Sequence, residues 1–78
     1  MTAQARKSIS KMIRESADRI KVQNPDAAEI ISQYRIAYNR YRELVIEGDN
    51  QWHDLRKYYI LKEAYLLIAK ERGIVIPE

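Results

Sequence analysis

The 78-residue sequence has no cysteine and no phenylalanine, one histidine, two glycines and two prolines. Without cysteine the chain forms no disulfide bond, and a single histidine leaves no ligand set for a structural zinc. A chain of this length buries only ~60% of its unfolded surface. We therefore expect one helical domain over residues 1–78 that gains stability from a second copy or from another protein.

Combinations of residues that carry catalysis are also missing. His53 is the only imidazole, the four serines lie far from it along the chain, and there is no glycine-rich loop for a phosphate. These absences predict that the protein is not an enzyme and that it takes no cofactor, metal or small-molecule substrate. Because there is neither a long apolar run nor a secretory signal, we expect no membrane span and a cytoplasmic location.

Apolar residues recur at steps of three and four, which indicates helices. Asn24-Pro25 is typical of a helix start, and Gly48 and Gly73 are typical of helix ends. Because the connections are short, the first two helices are expected to be antiparallel neighbours. The sequence thus predicts an all-α fold, an antiparallel three-helix bundle or long helical hairpin, with helices at about 3–23, 25–47 and 50–72. In the second helix, steps of seven widen the apolar stripe through Ile31, Tyr38 and Val45.

The third helix has an apolar surface wider than two neighbouring helices can cover. Ten of the twelve residues from 58 to 69 are apolar. The line left over is Ile60, Ala64 and Leu67, and Ile36 projects from the far side of the second helix. These four residues form the predicted protein interface. The expected function is a non-enzymatic interaction module (an adaptor, regulator or assembly subunit) that binds itself or another protein.

Basic residues offer an alternative function, nucleic-acid binding. The net charge is +3, and residues 1–24 carry six basic and two acidic groups. A solvated helix face accounts for this charge more simply, and the arginines beside the tyrosines of the second helix can serve to cover apolar area. The candidate phosphate contacts are Arg6, Lys7, Lys11, Arg14, Lys21, Arg35 and Arg42.

A short apolar tail, residues 73–78, ends the chain. The cap expected at Gly73 and Ile74 favours folding back over the helix ends. The β-branched residues that follow would also suit addition of a strand to the sheet edge of a partner. The sequence leaves both arrangements open.

Overall fold

The computed structural model describes residues 8–48 and 52–77, with the side chain of Trp52 left aside. This part of the chain is all-helical. It consists of α1 (Ile9–Val22), α2 (Ala27–Glu47) and α3 (Trp52–Arg72), and no strand occurs in it. The all-α prediction is therefore confirmed.

The first helix begins later than the sequence predicted. Ser8 has an extended backbone and its hydroxyl accepts a hydrogen bond from the Lys11 amide at 3.1 Å. A serine in this position is an N-cap, which satisfies one of the free amides of the first turn. The predicted start at residue 3 is therefore wrong, and residues 3–7 lie outside the described part.

The connection between α1 and α2 uses Asn24 and Asp26 differently from the prediction. Asn24 has a positive φ of 56° and its amide bonds to the Lys21 carbonyl at 2.9 Å, so it ends α1 instead of starting α2. Asp26 is the N-cap of α2, and its carboxylate accepts from the Glu29 amide at 2.8 Å. Pro25 lies before the cap and is buried. The prediction was wrong here because Asn suits both left-handed and capping positions.

Asp26→Ala is expected to lower the free energy of unfolding by about 1 kcal/mol, since an alanine leaves the Glu29 amide without its acceptor. Urea denaturation of the two proteins measures this difference. Asp26→Asn, which keeps an acceptor oxygen, should retain most of the stability. Equal losses in both variants would contradict the capping role.

Two glycines end helices as predicted. Gly48 takes a left-handed backbone with φ of 65°, and its amide bonds to the Leu44 carbonyl. Gly73 has φ of 69°, and the Ile74 amide reaches the Ala69 carbonyl at 2.8 Å, the long bond of a Schellman motif. Ile74 and Ile76 then pack against the core. The tail therefore folds back, and the arrangement as a strand for a partner is not the one observed.

The third helix lies between the other two. Glu71 of α3 pairs with Lys21 of α1, whereas Lys62 of α3 lies over the ring of Tyr41 of α2. Glu71 and Lys62 are nine residues apart, which at ~100° per residue places them on opposite sides of the helix. In the described part α1 and α2 do not pack on each other, so their predicted adjacency is wrong. The result is a flat arrangement, 40 × 31 × 17 Å along its principal axes.

The core is small and lies where the C-terminal half of α3 meets both neighbours. Among the residues that the structure describes, its large, fully enclosed members are Ile30 and Ile68. Partly buried apolar residues surround it, among them Ile13, Leu67 and the two tail isoleucines. The buried members of the cluster are Ala17, Ile20, Ile30, Ala64, Ile68 and Ala69.

Candidate interaction surface

The four predicted interface residues do not form one exposed surface. Ala64 has no exposed surface and belongs to the core, and Leu67 packs against that core. Ile60 is half-buried. The prediction of an uncovered line on α3 is therefore wrong at Ala64, because α1 covers the side of α3 on which the sequence predicts an exposed surface. Ile36 is 58% exposed, but it lies on α2 and away from the other three.

Of the seven large apolar side chains that are exposed in the described part of the chain, four lie on α2; the others are Ile9 and Val22 of α1 and Val75 of the tail. Tyr38 is 40% exposed and Val45 51%, and between the core-facing residues and these two lie half-buried side chains of the same helix. We call the line formed by these exposed and half-buried side chains the α2 seam; its residues are Ile31, Tyr34, Tyr38, Tyr41 and Val45. At ~100° per residue these five side chains span about a quarter of the helix circumference. Its spacing of three, four, three and four is that of a surface that packs against another helix.

A groove adjoins the N-terminal half of the α2 seam. It has a volume of about 720 Å³ and is open to solvent. The rings of Tyr34 and Tyr38 stack with their centres 6.0 Å apart along one wall. Leu66 of α3 and the tail residues Ile76 and Pro77 complete the apolar lining. Tyrosine rings beside aliphatic side chains offer apolar area together with hydrogen-bonding hydroxyls, the combination enriched at protein interfaces.

Two tyrosines and one lysine fill the cleft between α2 and α3 next to this groove, towards the C-terminal end of α2. The Tyr41 and Tyr59 rings lie 5.7 Å apart, and the Lys62 ammonium lies 5.2 and 4.7 Å from their centres. Glu63 pairs with the same ammonium at 2.6 Å. The Lys62 side chain is only 12% exposed, and the Glu63 carboxylate balances its charge at this half-buried position. A smaller hollow of about 160 Å³ follows, and it is lined by Ile9 of α1 together with Tyr41, Leu55, Arg56 and Tyr59.

Arginine is the only charged residue type among the described residues that line the larger groove. Arg35 donates a hydrogen bond to the Pro77 carbonyl at 3.2 Å, which fastens the tail to α2. Arg42 follows seven residues later and is exposed, so it borders the α2 seam in the same way. The carboxylates of α2 lie about half a turn away from the α2 seam at ~100° per residue. They are Glu29, Glu43 and Glu47.

The described basic residues among those predicted to contact nucleic acid are divided between α1 and α2, which both pack on α3 and not on each other. Lys21 is bound to Glu71 at 2.6 Å, and this hydrogen bond holds the pKa of the Glu71 carboxyl below its ordinary value. Lys11 and Arg14 are exposed on α1. Arg35 and Arg42 belong to α2, across α3 from them. Arg6 and Lys7 lie outside the described residues.

The other shifted groups are explained by their surroundings. Burial raises the pKa of the Tyr65 hydroxyl, with a smaller contribution from Glu29. The hydrogen bond to Glu43 at 3.2 Å raises the pKa of Arg40 above its ordinary value. Neither group lines a cavity that the structure defines. These shifts therefore reflect packing and pairing.

Within residues 8–48 and 52–77, no set of three or more metal-ligating side chains comes together. No helix in that part combines the length and apolar character needed to cross a membrane. In comparisons with known proteins, no family model matches the chain, and no curated protein or solved structure is significantly similar to it. Arguments about function therefore depend on the surface itself.

The α2 seam was missed at the sequence level although its signal was present. The steps of seven through Ile31, Tyr38 and Val45 were assigned to the inner stripe of the second helix. In the structure the inner stripe is narrower and centres on Ile30, Ala37 and Leu44, all buried. A helix covered on one side by a single neighbour leaves the edge of a wide stripe exposed.

Proposed function

We propose that the protein is a small non-enzymatic interaction module, an adaptor, regulator or assembly subunit, that binds a protein partner through the α2 seam and the groove beside it. The observation that carries the proposal is the exposure of Tyr38, which lines an open groove, and of Val45 seven residues further along the same helix. Large aromatic and aliphatic side chains arranged around a concave surface are what central interface contacts require. The proposed surface replaces the line on α3 suggested by the sequence.

Nucleic-acid binding is less favoured by the arrangement of charges. Phosphate binding requires several cations along one continuous surface, since each neutralised phosphate adds to the affinity. Here α3 separates the basic residues of α1 from Arg35 and Arg42, and Lys21 already has a carboxylate partner. Two arginines beside tyrosines make a basic margin to an apolar surface. This margin suits a protein better than a phosphate backbone.

Self-association stays a prediction. Its original basis, an uncovered line through Ile60, Ala64 and Leu67, is weakened because Ala64 is enclosed within one chain. Sedimentation of the purified protein between 10 and 500 micromolar, concentrations on the order of those that reveal weak dimers, measures it directly. A monomer throughout that range would remove the second copy from the list of partners.

The double substitution Tyr38→Ala/Val45→Ala is expected to abolish partner binding and leave the fold intact. Both side chains are exposed, so the free energy of unfolding should change by less than about 1 kcal/mol. Loss of two central contacts typically weakens binding by ~30-fold or more. Affinity capture from extract of the source organism, followed by titration of each captured protein against wild type and variant, measures the loss.

Ile36→Ala is the matched control. Ile36 is an exposed aliphatic residue of the same helix and lies two residues from Tyr38 in sequence, but about half a turn from the α2 seam. A partner of the α2 seam binds Ile36→Ala as well as it binds wild type. If the double substitution leaves every interaction unchanged, or if only Ile36→Ala weakens one, the α2 seam is not the binding surface.

A further inference from the structure

We infer that the α2 seam accepts an acidic amphipathic helix of another protein. This inference rests on the proposed function and specifies the chemistry of the partner. Three features of the surface support it: the spacing of the apolar side chains, the sign of the bordering charges and the position of the groove beside the α2 seam.

The spacing and length of the α2 seam suit a helix. Ile31, Tyr34, Tyr38, Tyr41 and Val45 occupy the a and d positions of two consecutive heptads. At ~1.5 Å per residue they cover about 21 Å, or four turns of a helix, and Tyr38 and Val45 are exposed whereas the other three are half-buried. Leu66 of the larger groove and Tyr59 of the smaller hollow lie seven positions apart on one face of α3, and Ile9 of α1 forms a further wall of the hollow. An extended peptide would fill the groove but not this periodic line.

The bordering charges select an acidic partner. Arg35 and Arg42 occupy the e position of the two heptads, where side chains pair with charges of the facing helix. A guanidinium carries five N–H donors, and Arg35 uses one of them on the Pro77 carbonyl. The others can hold a carboxylate in the bidentate manner that arginine favours. None of the described residues lining the groove is acidic, so nothing in that lining competes for this role.

The same charges disfavour a second copy of the chain that lies antiparallel along the α2 seam. In a contact between two α2 seams that run in opposite directions, Arg35 of one copy faces an arginine of the other. Like charges opposed at an interface reduce affinity for the wrong partner. The carboxylates of α2 cannot relieve this repulsion, because Glu43 and Glu47 lie on the far side of the helix. A heterologous helix with Asp or Glu at the facing positions avoids the conflict.

The size of the surface sets the expected strength. One helix lying along four turns of another buries less than ~1,200 Å² in total, the range of transient complexes. We therefore expect dissociation constants in the micromolar range, on the order of 1–100 µM. Reversal of both bordering charges should weaken an acidic helix at least ~10-fold.

A peptide selection tests the inference without knowledge of the natural partner. The probe is a displayed library of 18-residue helical peptides with leucine at the a and d positions and with the four flanking positions randomised. It is selected in parallel on wild type, on Arg42→Glu, on Arg35→Glu/Arg42→Glu and on Tyr38→Ala/Val45→Ala, after circular dichroism has shown that each variant melts as wild type does. Arg42→Glu is included because it leaves the Arg35–Pro77 contact in place.

Wild type is expected to enrich Asp and Glu at the flanking positions, and the double variant to enrich Lys and Arg there. The same flanking residues emerging from both selections would overturn the acidic partner while leaving the α2 seam as a binding surface. Equal recovery on Tyr38→Ala/Val45→Ala would instead reject the α2 seam and the proposed function with it. If a selected peptide is displaced by a 20-nucleotide oligo-dT whose affinity collapses by orders of magnitude between low and moderate salt, the surface binds nucleic acid and the inference fails.

Discussion

Replacing Ile68 by alanine is expected to remove a large part of the stability of this protein. Ile68 is one of two large side chains that are completely buried in the described part of the chain, and it lies where α3 meets the rest of the core. Isoleucine-to-alanine changes at such sites cost about 2–5 kcal/mol, through lost burial and the cavity that remains. A domain of this size has a total stability of roughly 4–12 kcal/mol. The midpoint of thermal unfolding should therefore fall by at least ~10 °C.

Chemical denaturation of three variants checks this prediction. Ile68→Val removes one methyl group and should cost only ~0.5–1.5 kcal/mol. Ile46→Ala makes the same change as Ile68→Ala at a site that is 75% exposed, and it should stay within ~0.5 kcal/mol of wild type. A loss below about 1 kcal/mol for Ile68→Ala would show that the core is not centred on this residue.

The helical character of the chain could be predicted because it depends on local signals. Steps of three and four in the apolar residues and glycines at the helix ends act within a few residues of each other. The sequence therefore predicts the ends of α2 and α3 at Gly48 and Gly73, together with the cap that Ile74 forms. The start of α2 was not predicted correctly, because Asn24 and Asp26 are both good caps and only the backbone of the connection decides between them.

The order of the helices in space could not be predicted in the same way. A short connection such as the one around Pro25 favours two helices that pack on each other. In the structure Arg72 at the end of α3 donates a hydrogen bond to the Pro25 carbonyl at 2.8 Å, so the connection is fixed to α3 instead. This contact joins residues 47 positions apart. No local pattern in the sequence carries information about it.

The candidate site follows from that spatial order. Because α3 lies between α1 and α2, it can bury apolar side chains on two opposite sides, which accounts for its wide apolar surface without a second chain. In the described part of the chain, the edge of α2 that carries Tyr38 has the tail beside it, held by the hydrogen bond from Arg35 to the Pro77 carbonyl. Tyr38 and Val45 are left exposed there, although their spacing alone suggested that they were part of the inner stripe.

Ala64→Leu tests whether α3 is covered within a single chain. Ala64 has no exposed surface and lies in the same buried cluster as Ala17 of α1. Three additional carbon atoms at this position have no space without movement of neighbouring side chains or of a helix, and such overpacking typically costs about 1–3 kcal/mol. We expect Ala64→Leu to unfold at a lower urea concentration than wild type by a corresponding amount.

The opposite result would restore the interface that the sequence suggested. If Ala64 lay on an exposed line, a leucine there would change the stability by less than about 0.5 kcal/mol and would strengthen any association through α3. Ala28→Leu provides the control, since Ala28 is exposed in the first turn of α2 and gains the same atoms. Destabilisation by Ala64→Leu, together with a neutral Ala28→Leu, would show that α1 and α2 together cover the wide apolar surface of α3. The α2 seam would then be the surface to search for a partner.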